Sequence, residues 1–183
     1  KIIFRNNAKL NDDIYVTGNL GDSFAGLNIL KRKIYTNNSL SKYFVRKYYQ
    51  HNLHLKLCNK LLSFANTSID ISDGLITDLE KLLNSQQLSY KLNLHSIPIS
   101  NNLKKLLIQK KHNKINYISR GDDYQILFTA NSDKSRIVNK IAKSSGIKIS
   151  KIGKICSNIE KSQIIDQKGN KIAVKTKGYY HRF

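Results

Sequence analysis

The sequence has few of the residues that mark disulfide-stabilised and membrane proteins. It contains two cysteines, Cys58 and Cys156, which stand far apart and form no Cys-x-x-Cys pair. This excludes a disulfide framework and a zinc knuckle, and both cysteines are expected to be reduced core residues. No apolar run approaches the roughly eighteen residues of a membrane span, and no secretion-type leader opens the sequence. A cytoplasmic protein is therefore the default expectation.

Methionine and acidic residues are also scarce. No position is methionine, and the sequence begins at Lys1, so we expect it to be part of a longer polypeptide. Only 12 residues are acidic against 32 basic ones, which gives a formal net charge of +20. Such a charge is compatible with nucleic-acid binding. Because only six basic residues are arginine and the lysines are spread thinly, a general bias toward lysine explains the charge better. We therefore expect only nonspecific binding of polyanions, at low salt.

Hydrophobic periodicity predicts strands that alternate with helices along a chain whose 183 residues suit one domain or two small ones. Strands are predicted at 13–18, 67–71, 88–94, 124–129 and 147–155, and helices at 23–33, 41–64 with a break near 50–53, 73–84, 101–109 and 132–145. A hairpin is predicted around 166–170. The fold class is therefore predicted as a mixed β-sheet flanked by helices, of the α+β or α/β type.

The stretch IDISDGLITDLE concentrates four of the few acidic residues at a predicted junction between a strand and a helix. Asp70, Ser72 and Asp73 would lie at the strand tip and helix N-terminus, where α/β folds place ligands. Carboxylates there suit Mg²⁺, and free amides and hydroxyls suit phosphate. The alternative is that Ser72 or Asp73 caps the helix while Asp78 and Glu80 offset its dipole. The residues alone leave both interpretations open.

Two further segments resemble ligand-binding loops more weakly. SRGDDYQILFT places Asp122 and Asp123 after a glycine and before a buried strand, although plain turns use the same residues. TGNLGDSFAGL has two glycines before Asp22 and Ser23. It matches neither G-x-G-x-x-G nor the P-loop pattern, so close helix packing with an Asp22 or Ser23 cap is the preferred interpretation.

Taken in order, four segments give the sequence a specific resemblance. They are DIYVTGNLGDS, ANTSIDISDGL, GDDY followed by LFT, and the terminal KGY. Together they resemble the C-terminal part of the thiamine-monophosphate kinases, in the superfamily that includes aminoimidazole ribonucleotide synthase and selenophosphate synthetase. The resemblance covers essentially the whole chain. It implies a fold like the C-terminal domain of aminoimidazole ribonucleotide synthase, with residues 1–12 as an inter-domain segment and 13–183 as a C-terminal α/β domain.

What the resemblance implies about function is phosphoryl transfer from ATP to thiamine monophosphate, giving thiamine diphosphate, with Mg²⁺ between the substrates. The acceptor is already an anion, so no catalytic base is expected, and positioning and charge neutralisation would carry the reaction. The positions that match the family's site residues are Asp70 and Asp73 for the metal, Ser72 and Arg5 for ATP, and Asp122 and Tyr179 for the substrate.

In the resembled family a preceding N-terminal domain supplies most metal-binding carboxylates and the dimer contact. The chain lacks that domain, so we expect no kinase turnover from it alone. The domain would be needed in cis or from a separate chain, and the complete enzyme is expected to be a homodimer.

Several positions depart from the family pattern. Arg120 stands where the family has glycine, and strain is expected there if the backbone requires a positive φ. Gln125 replaces a usual glutamate, so substrate binding is in question. His51, His54 and Cys58 form a minor metal-site hypothesis, since they could share a helical face.

Two other functions stay open. One is a catalytically silent remnant or structural module of the same fold. The other is a basic nucleic-acid-binding protein, whose specific binding would survive near-physiological salt.

Overall fold

One mixed β-sheet organises the computed structural model, which describes residues 2–83 and 86–174. The elements in chain order are β1 (Asp13–Thr17), α1 (Asp22–Leu30), α2 (Asn38–Tyr49), α3 (Leu55–Leu61), β2 (Ala65–Asp70), α4 (Leu75–Leu82), β3 (Leu88–Asn93), α5 (Asn101–Lys110), α6 (Ile115–Ile118), β4 (Ile126–Ala130), a 3₁₀ turn (Ser132–Lys134), α7 (Ser135–Ser145), β5 (Ile149–Ser157) and β6 (Gln163–Ile165). Within these described ranges, no helix has the length and apolar character needed to cross a bilayer.

The strands lie side by side in the order β2, β4, β1, β5, β3, β6. Neighbouring strands are antiparallel except β3 and β6, which run parallel. The predicted mixed sheet with flanking helices is confirmed. β2 forms one edge, and its tip therefore lies beside the beginning of β4.

Helices cover both faces of the sheet. All five residues of β1 are buried, because side chains that alternate along the strand enter two different cores. Ile14 and Val16 join a core that includes residues of α1, α4 and α5. Tyr15 and Phe128, with ring centroids 5.2 Å apart, pack instead with residues of α3 and α7. The loops at the strand ends are thus held between two packed layers.

The structure differs from the predicted elements mainly where an element is very short or where strands distant in the sequence pair. The break in the second helical region is confirmed between α2 and α3. Helix α6 was not predicted because four residues are too few to show a helical period. The turn at 166–170 exists, but up to residue 174, where the described part of the chain ends, it is followed by a single antiparallel bridge, Ile165 to Lys171, and β6 pairs mainly with β3. The hairpin prediction is therefore only partly right.

The expected position of the cysteines is wrong. Both are free thiols, as predicted, but Cys58 is exposed on α3 and Cys156 is only half-buried on β5. Neither thiol belongs to the cores.

Candidate active site

A cleft opens where the loop after β2 meets the loop before β4. The antiparallel pairing places Asp70 opposite Ile126, so both loops leave the sheet at the same edge. The cleft has a volume of about 560 Å³ and is called here the strand-tip cleft. Its lining residues are Phe24, Leu27, Lys31, Ser72, Asp73, Arg120, Gly121, Asp122 and Tyr124.

Backbone hydrogen bonds continue beyond the paired strands and join the two loops. The amide of Tyr124 donates to the carbonyl of Ile71 at 2.8 Å, and the amide of Asp122 donates to the carbonyl of Ser72 at 2.9 Å. These contacts fix the spacing between two acidic segments that lie about fifty residues apart in the sequence. The cleft is therefore a consequence of the β2–β4 pairing.

Two glycines allow this close approach. A Cβ at Gly121 would lie 1.9 Å from the carbonyl oxygen of Ser72, and a Cβ at Gly74 would lie 2.3 Å from that of Ser119. Gly74 also has φ of 120°, which side-chain-bearing residues rarely adopt. Any larger residue at either position would push the loops apart.

The N-terminus of α4 is stabilised by Asp78, from within the helix. Its buried carboxylate accepts hydrogen bonds from the amides of Asp73 at 2.9 Å and Gly74 at 3.0 Å. Gly74 occupies the N-cap position without a side-chain cap. The alternative that Ser72 or Asp73 caps the helix is therefore wrong, and both residues line the cleft.

Asp73 has a lysine as its counterion. Lys81 forms ion pairs with Asp73 and with Asp78, the latter at 3.0 Å. Desolvation is the largest influence on the Lys81 pKa and lowers it, but the hydrogen bonds and charges of the two aspartates raise it overall. Because the Lys81 side chain is 44% exposed, it can move into solvent when another cation approaches Asp73.

Asp122 lies within electrostatic reach of Asp73. Its pKa is raised, first by burial and also by the Asp73 charge, whereas His51 and Lys31 lower it. Its φ of 67° is in the left-handed region. Strained backbone of this kind is often found at functional sites.

Tyr124 is a cleft residue to which the sequence motifs assigned no role. It is 41% exposed, has φ of 47°, and its ring centroid lies 4.6 Å from that of His51. Burial raises its pKa most, and the charges of Asp122, Asp70 and Asp73 raise it further. The three carboxylates are thus grouped near one phenol. The feature of the sequence that could have identified Tyr124 as a site residue is its position directly after the Asp-Asp pair.

Arg120 is unstrained, contrary to the expectation for a residue that replaces glycine. It is not among the residues with positive φ in the described part of the chain. The positive φ values fall instead on Asp122 and Tyr124. The guanidinium of Arg120 lies over the ring of Phe24, 5.5 Å from its centroid.

The other predicted site residues lie beside the cleft or outside the described residues. Arg5 and Asp70 are exposed and line a neighbouring cleft of about 480 Å³ along β2 and α3. Tyr179 lies outside the described residues. The structure therefore brings Ser72, Asp73 and Asp122 into one cleft, with Asp70 at its border. Within 2–83 and 86–174, no three His, Cys, Asp or Glu side chains form a group that could hold a metal ion.

A smaller polar cavity of about 90 Å³ lies beside the N-terminus of α1 and is called here the α1 cavity. Asp123, which is buried, accepts a hydrogen bond from the amide of Gly21 at 2.7 Å. Asp22 accepts from Tyr43 at 2.8 Å and from Ser100 at 2.6 Å. Neither Asp22 nor Ser23 caps α1, so that prediction is wrong. The Gly21 amide, at the N-terminus of α1, donates its hydrogen bond instead to Asp123, which is distant in the sequence.

Gln125 closes the α1 cavity. Its Oε1 accepts a hydrogen bond from Thr17 at 2.9 Å and lies 2.8 Å from Nε2 of His54. His51 contacts Tyr124, and Cys58 lines the neighbouring cleft. The hypothesis that His51, His54 and Cys58 bind a metal together is therefore not supported.

Comparisons with known proteins point in one direction. No family model matches the sequence. The chain is 36% identical, over 183 residues, to a thiamine-monophosphate kinase of Buchnera aphidicola subsp. Schizaphis graminum, an alignment that covers 98% of this chain and 55% of that protein. The chain thus spans about half the length of the curated relatives it matches.

Solved structures agree with this similarity. The thiamine-monophosphate kinase of Stenotrophomonas maltophilia K279a matches with a TM-score of 0.77 and 26% identity, over 90% of this chain and 52% of that one. A structure described as AaThiL complexed with AMPPCP and TMP matches with a TM-score of 0.78 and 26% identity, over 98% of this chain and 54% of that one. The fold that the resemblance implied is confirmed.

Proposed function

Because this chain is a homologue of the C-terminal part of the thiamine-monophosphate kinases, we propose that it forms part of an active site that transfers the γ-phosphate of ATP to thiamine monophosphate. The observation that carries the proposal is the strand-tip cleft, where Ser72, Asp73 and Asp122 meet. A solved relative is described as a complex with AMPPCP and TMP, which supports these two substrates.

The carboxylates at the strand tip fit a magnesium ion. Mg²⁺ typically takes one or two protein carboxylates and completes its shell with water and phosphate oxygens. Asp70 and Asp73 would hold it, since Asp70 ends β2, Asp73 lies in the loop after it, and both act on the pKa of the nearby Tyr124. Bound there, the ion would neutralise phosphate charge. Asp73 would exchange its ion pair with Lys81 for the metal.

The walls of the cleft suit the acceptor. Phe24 and Tyr124 offer aromatic surface, which attracts a cationic heterocycle such as a thiazolium ring. Asp122 supplies a carboxylate toward the same ligand, and Ser72 a hydroxyl toward nucleotide phosphate. Arg5 would contact ATP from the neighbouring cleft, and Tyr179 would lie beside the acceptor. These side chains position and neutralise reactants, and the phosphate acceptor needs no strong base.

The remaining length of the relatives would complete the site. Among the described residues, no three carboxylates lie close enough together to hold a metal ion by themselves. We propose that further metal ligands come from an N-terminal domain, in cis or in trans, that the complete enzyme is a cytoplasmic homodimer, and that this chain alone does not turn over. Steady formation of thiamine diphosphate by the 183 residues alone, in a coupled assay, would contradict this last point.

The test is calorimetric titration with Mg²⁺ and AMPPCP, before and after adding the N-terminal half of the Buchnera relative. We expect binding only with the added half, and its loss in Asp70→Ala and Asp73→Ala. Asp133→Ala is the matched control, because this acid is exposed on the 3₁₀ turn. Absence of binding in both states would favour the silent remnant. DNA binding that survives near-physiological salt would favour the nucleic-acid alternative.

A further inference from the structure

Arg120 has no role in the proposed reaction, yet it lines the strand-tip cleft. Its guanidinium is supported from one side by Phe24, whose ring contacts the buried Tyr117 edge-on with centroids 5.6 Å apart. Stacking of this kind restricts a long side chain and leaves the donors at the rim of the guanidinium available. The charged group is therefore held in place before any ligand arrives.

No carboxylate neutralises this guanidinium in the described part of the chain. The ion pairs found there join Lys81 to Asp73 and Asp78, and Lys151 to Asp13. The charges acting on Asp122 are those of His51, Asp73 and Lys31, and Arg120 is not among them. Lysines thus lie near Asp73 and Asp122, whereas no acidic side chain in the described part of the chain forms an ion pair with Arg120.

The donor atoms of Arg120 are also incompletely satisfied. Its Nε is buried and has no hydrogen-bond partner among the described residues. A buried donor without an acceptor destabilises the folded state, so free energy is gained when a phosphate in the cleft draws the guanidinium into a position where this donor is paired. Planar guanidinium groups favour phosphate because two parallel N–H donors match two phosphate oxygens.

We propose that Arg120 is a phosphate-binding residue of the strand-tip cleft, which contacts a phosphate group of a bound substrate. The inference rests on the proposed function for the identity of that substrate, which is either the phosphomonoester of thiamine monophosphate or the polyphosphate of ATP. Both present the same phosphate oxygens. The residue that departs from the family's glycine therefore adds a contact for the substrate.

The test follows the Nε–H signal of Arg120 by NMR in the ¹⁵N-labelled 183-residue chain, mixed with the unlabelled N-terminal half of the Buchnera relative, at about 150 mM salt to screen the general positive charge. Thiamine monophosphate, thiamine, AMPPCP and inorganic phosphate are titrated separately. We expect the signal to shift with the phosphate-bearing probes and not with thiamine. The stronger response of thiamine monophosphate or of AMPPCP identifies the source of the phosphate.

Substitutions measure how much the proposed contact between Arg120 and phosphate contributes to ligand binding. Arg120→Gln should weaken binding of the responding phosphate ligand about tenfold or more, with thiamine unaffected. Arg136→Gln is the matched control, because it removes the same charge from the exposed part of α7. Phe24→Leu keeps the guanidinium but removes its aromatic support, and it should weaken binding only a few-fold.

The outcomes separate this inference from the proposed function. If thiamine monophosphate and AMPPCP each bind equally to wild type and Arg120→Gln, while thiamine monophosphate binds poorly to Asp122→Asn, the inference is overturned and the proposed function stands. If wild type ignores thiamine monophosphate while inorganic phosphate shifts Arg120, the proposed function fails and the phosphate site stands. Equal losses in Arg136→Gln and Arg120→Gln, or no response to any phosphate, would overturn the inference.

Discussion

Asp122 and Asp123 are neighbours in the sequence but belong to two different regions of the molecule. Asp122 lines the strand-tip cleft, which is about 560 Å³ in volume. Asp123 lines the α1 cavity, which is about 90 Å³, and accepts a hydrogen bond from the amide of Gly21. The backbone is left-handed at Asp122 and again at Tyr124, so the chain turns sharply on both sides of Asp123. Two identical side chains thus acquire a ligand-facing and a structural position through backbone geometry alone.

The electrostatic difference between the two acids follows from burial. Burial raises the pKa of Asp123 to about 8, although the hydrogen bond from Gly21 opposes this, so the group is largely neutral at pH 7. A protonated carboxyl avoids the large free-energy cost of an unpaired buried charge. Asp122 is half-buried and has Lys31 and His51 within electrostatic reach. Of the two, Asp122 is therefore the acid available to a ligand.

The largest expected effect is a loss of folding stability caused by a substitution in the strand-tip cleft. Gly121→Ala places a Cβ 1.9 Å from the Ser72 carbonyl oxygen, which forces the two loops apart. We expect a loss of about 3 kcal/mol in the free energy of unfolding, at the upper end for overpacking. Chemical denaturation followed by circular dichroism measures it.

Gly146→Ala is the matched control for that substitution. Gly146 has φ of 64°, but a Cβ there would meet no atom of the described residues within 4 Å. Its expected loss is about 1 kcal/mol, from backbone strain alone. Equal losses in the two variants would show that the loops around Gly121 can relax, and that the cleft is less rigid than its hydrogen bonds indicate.

The next prediction concerns the α1 cavity and the pH dependence of stability. The Asp123 pKa is about 8 in the folded protein, against about 3.9 for an unfolded aspartate. Between these values the folded state keeps a proton that the unfolded state releases. Stability contributed by Asp123 is therefore full below about pH 4 and is lost as pH rises toward 8, by up to about 1.4 kcal/mol per pH unit.

Asp123→Asn should flatten this dependence, because an amide resembles the neutral acid and does not titrate. Denaturation curves at intervals from pH 4 to 9 measure the slope, and Asp122→Asn is the neighbouring control with a smaller change of slope in the same direction, because Asp122 is only half-buried. A residual slope of the same sign is expected from Asp22, whose pKa burial also raises. If Asp123→Asn and wild type have the same slope, Asp123 is ionised in the fold.

The regular elements and the position of Asp73 at a strand tip could be predicted from the sequence, because both depend on patterns within short segments. The stripe of Leu75, Ile76 and Leu79 predicted α4, and the strand before it predicted where Asp73 would lie. Periodicity within one element is sufficient for such statements. It did not predict that the acid-rich junction lies opposite the second acid pair, because this depends on the non-local pairing of β2 with β4.

The separation of Asp122 from Asp123 was beyond sequence reasoning, since it depends on two positive φ values at residues other than glycine. The caps were mispredicted for a related reason: Asp78 serves α4 from inside the helix, and Asp123 serves α1 from a distant loop. Arg120 suggested strain when considered alone. Only the packing of Phe24 against it shows why the arginine is accommodated.

The smallest expected effect tests the charges inside the cleft. Lys31 lowers the pKa of Asp122 and Asp73 raises it, although burial is the main cause of its elevation. Lys31→Gln should therefore raise the Asp122 pKa, and Asp73→Asn should lower it, in both cases only slightly, because solvent screens these partly exposed charges. Titration of the ¹³C carboxyl signal of Asp122 measures both shifts, and the Asp123 signal serves as the internal reference. Shifts of the same sign in both variants would mean that the cleft loops rearrange. Opposite signs at Asp122 with an unmoved Asp123 would show that Lys31 and Asp73 act on Asp122 and not on its neighbour.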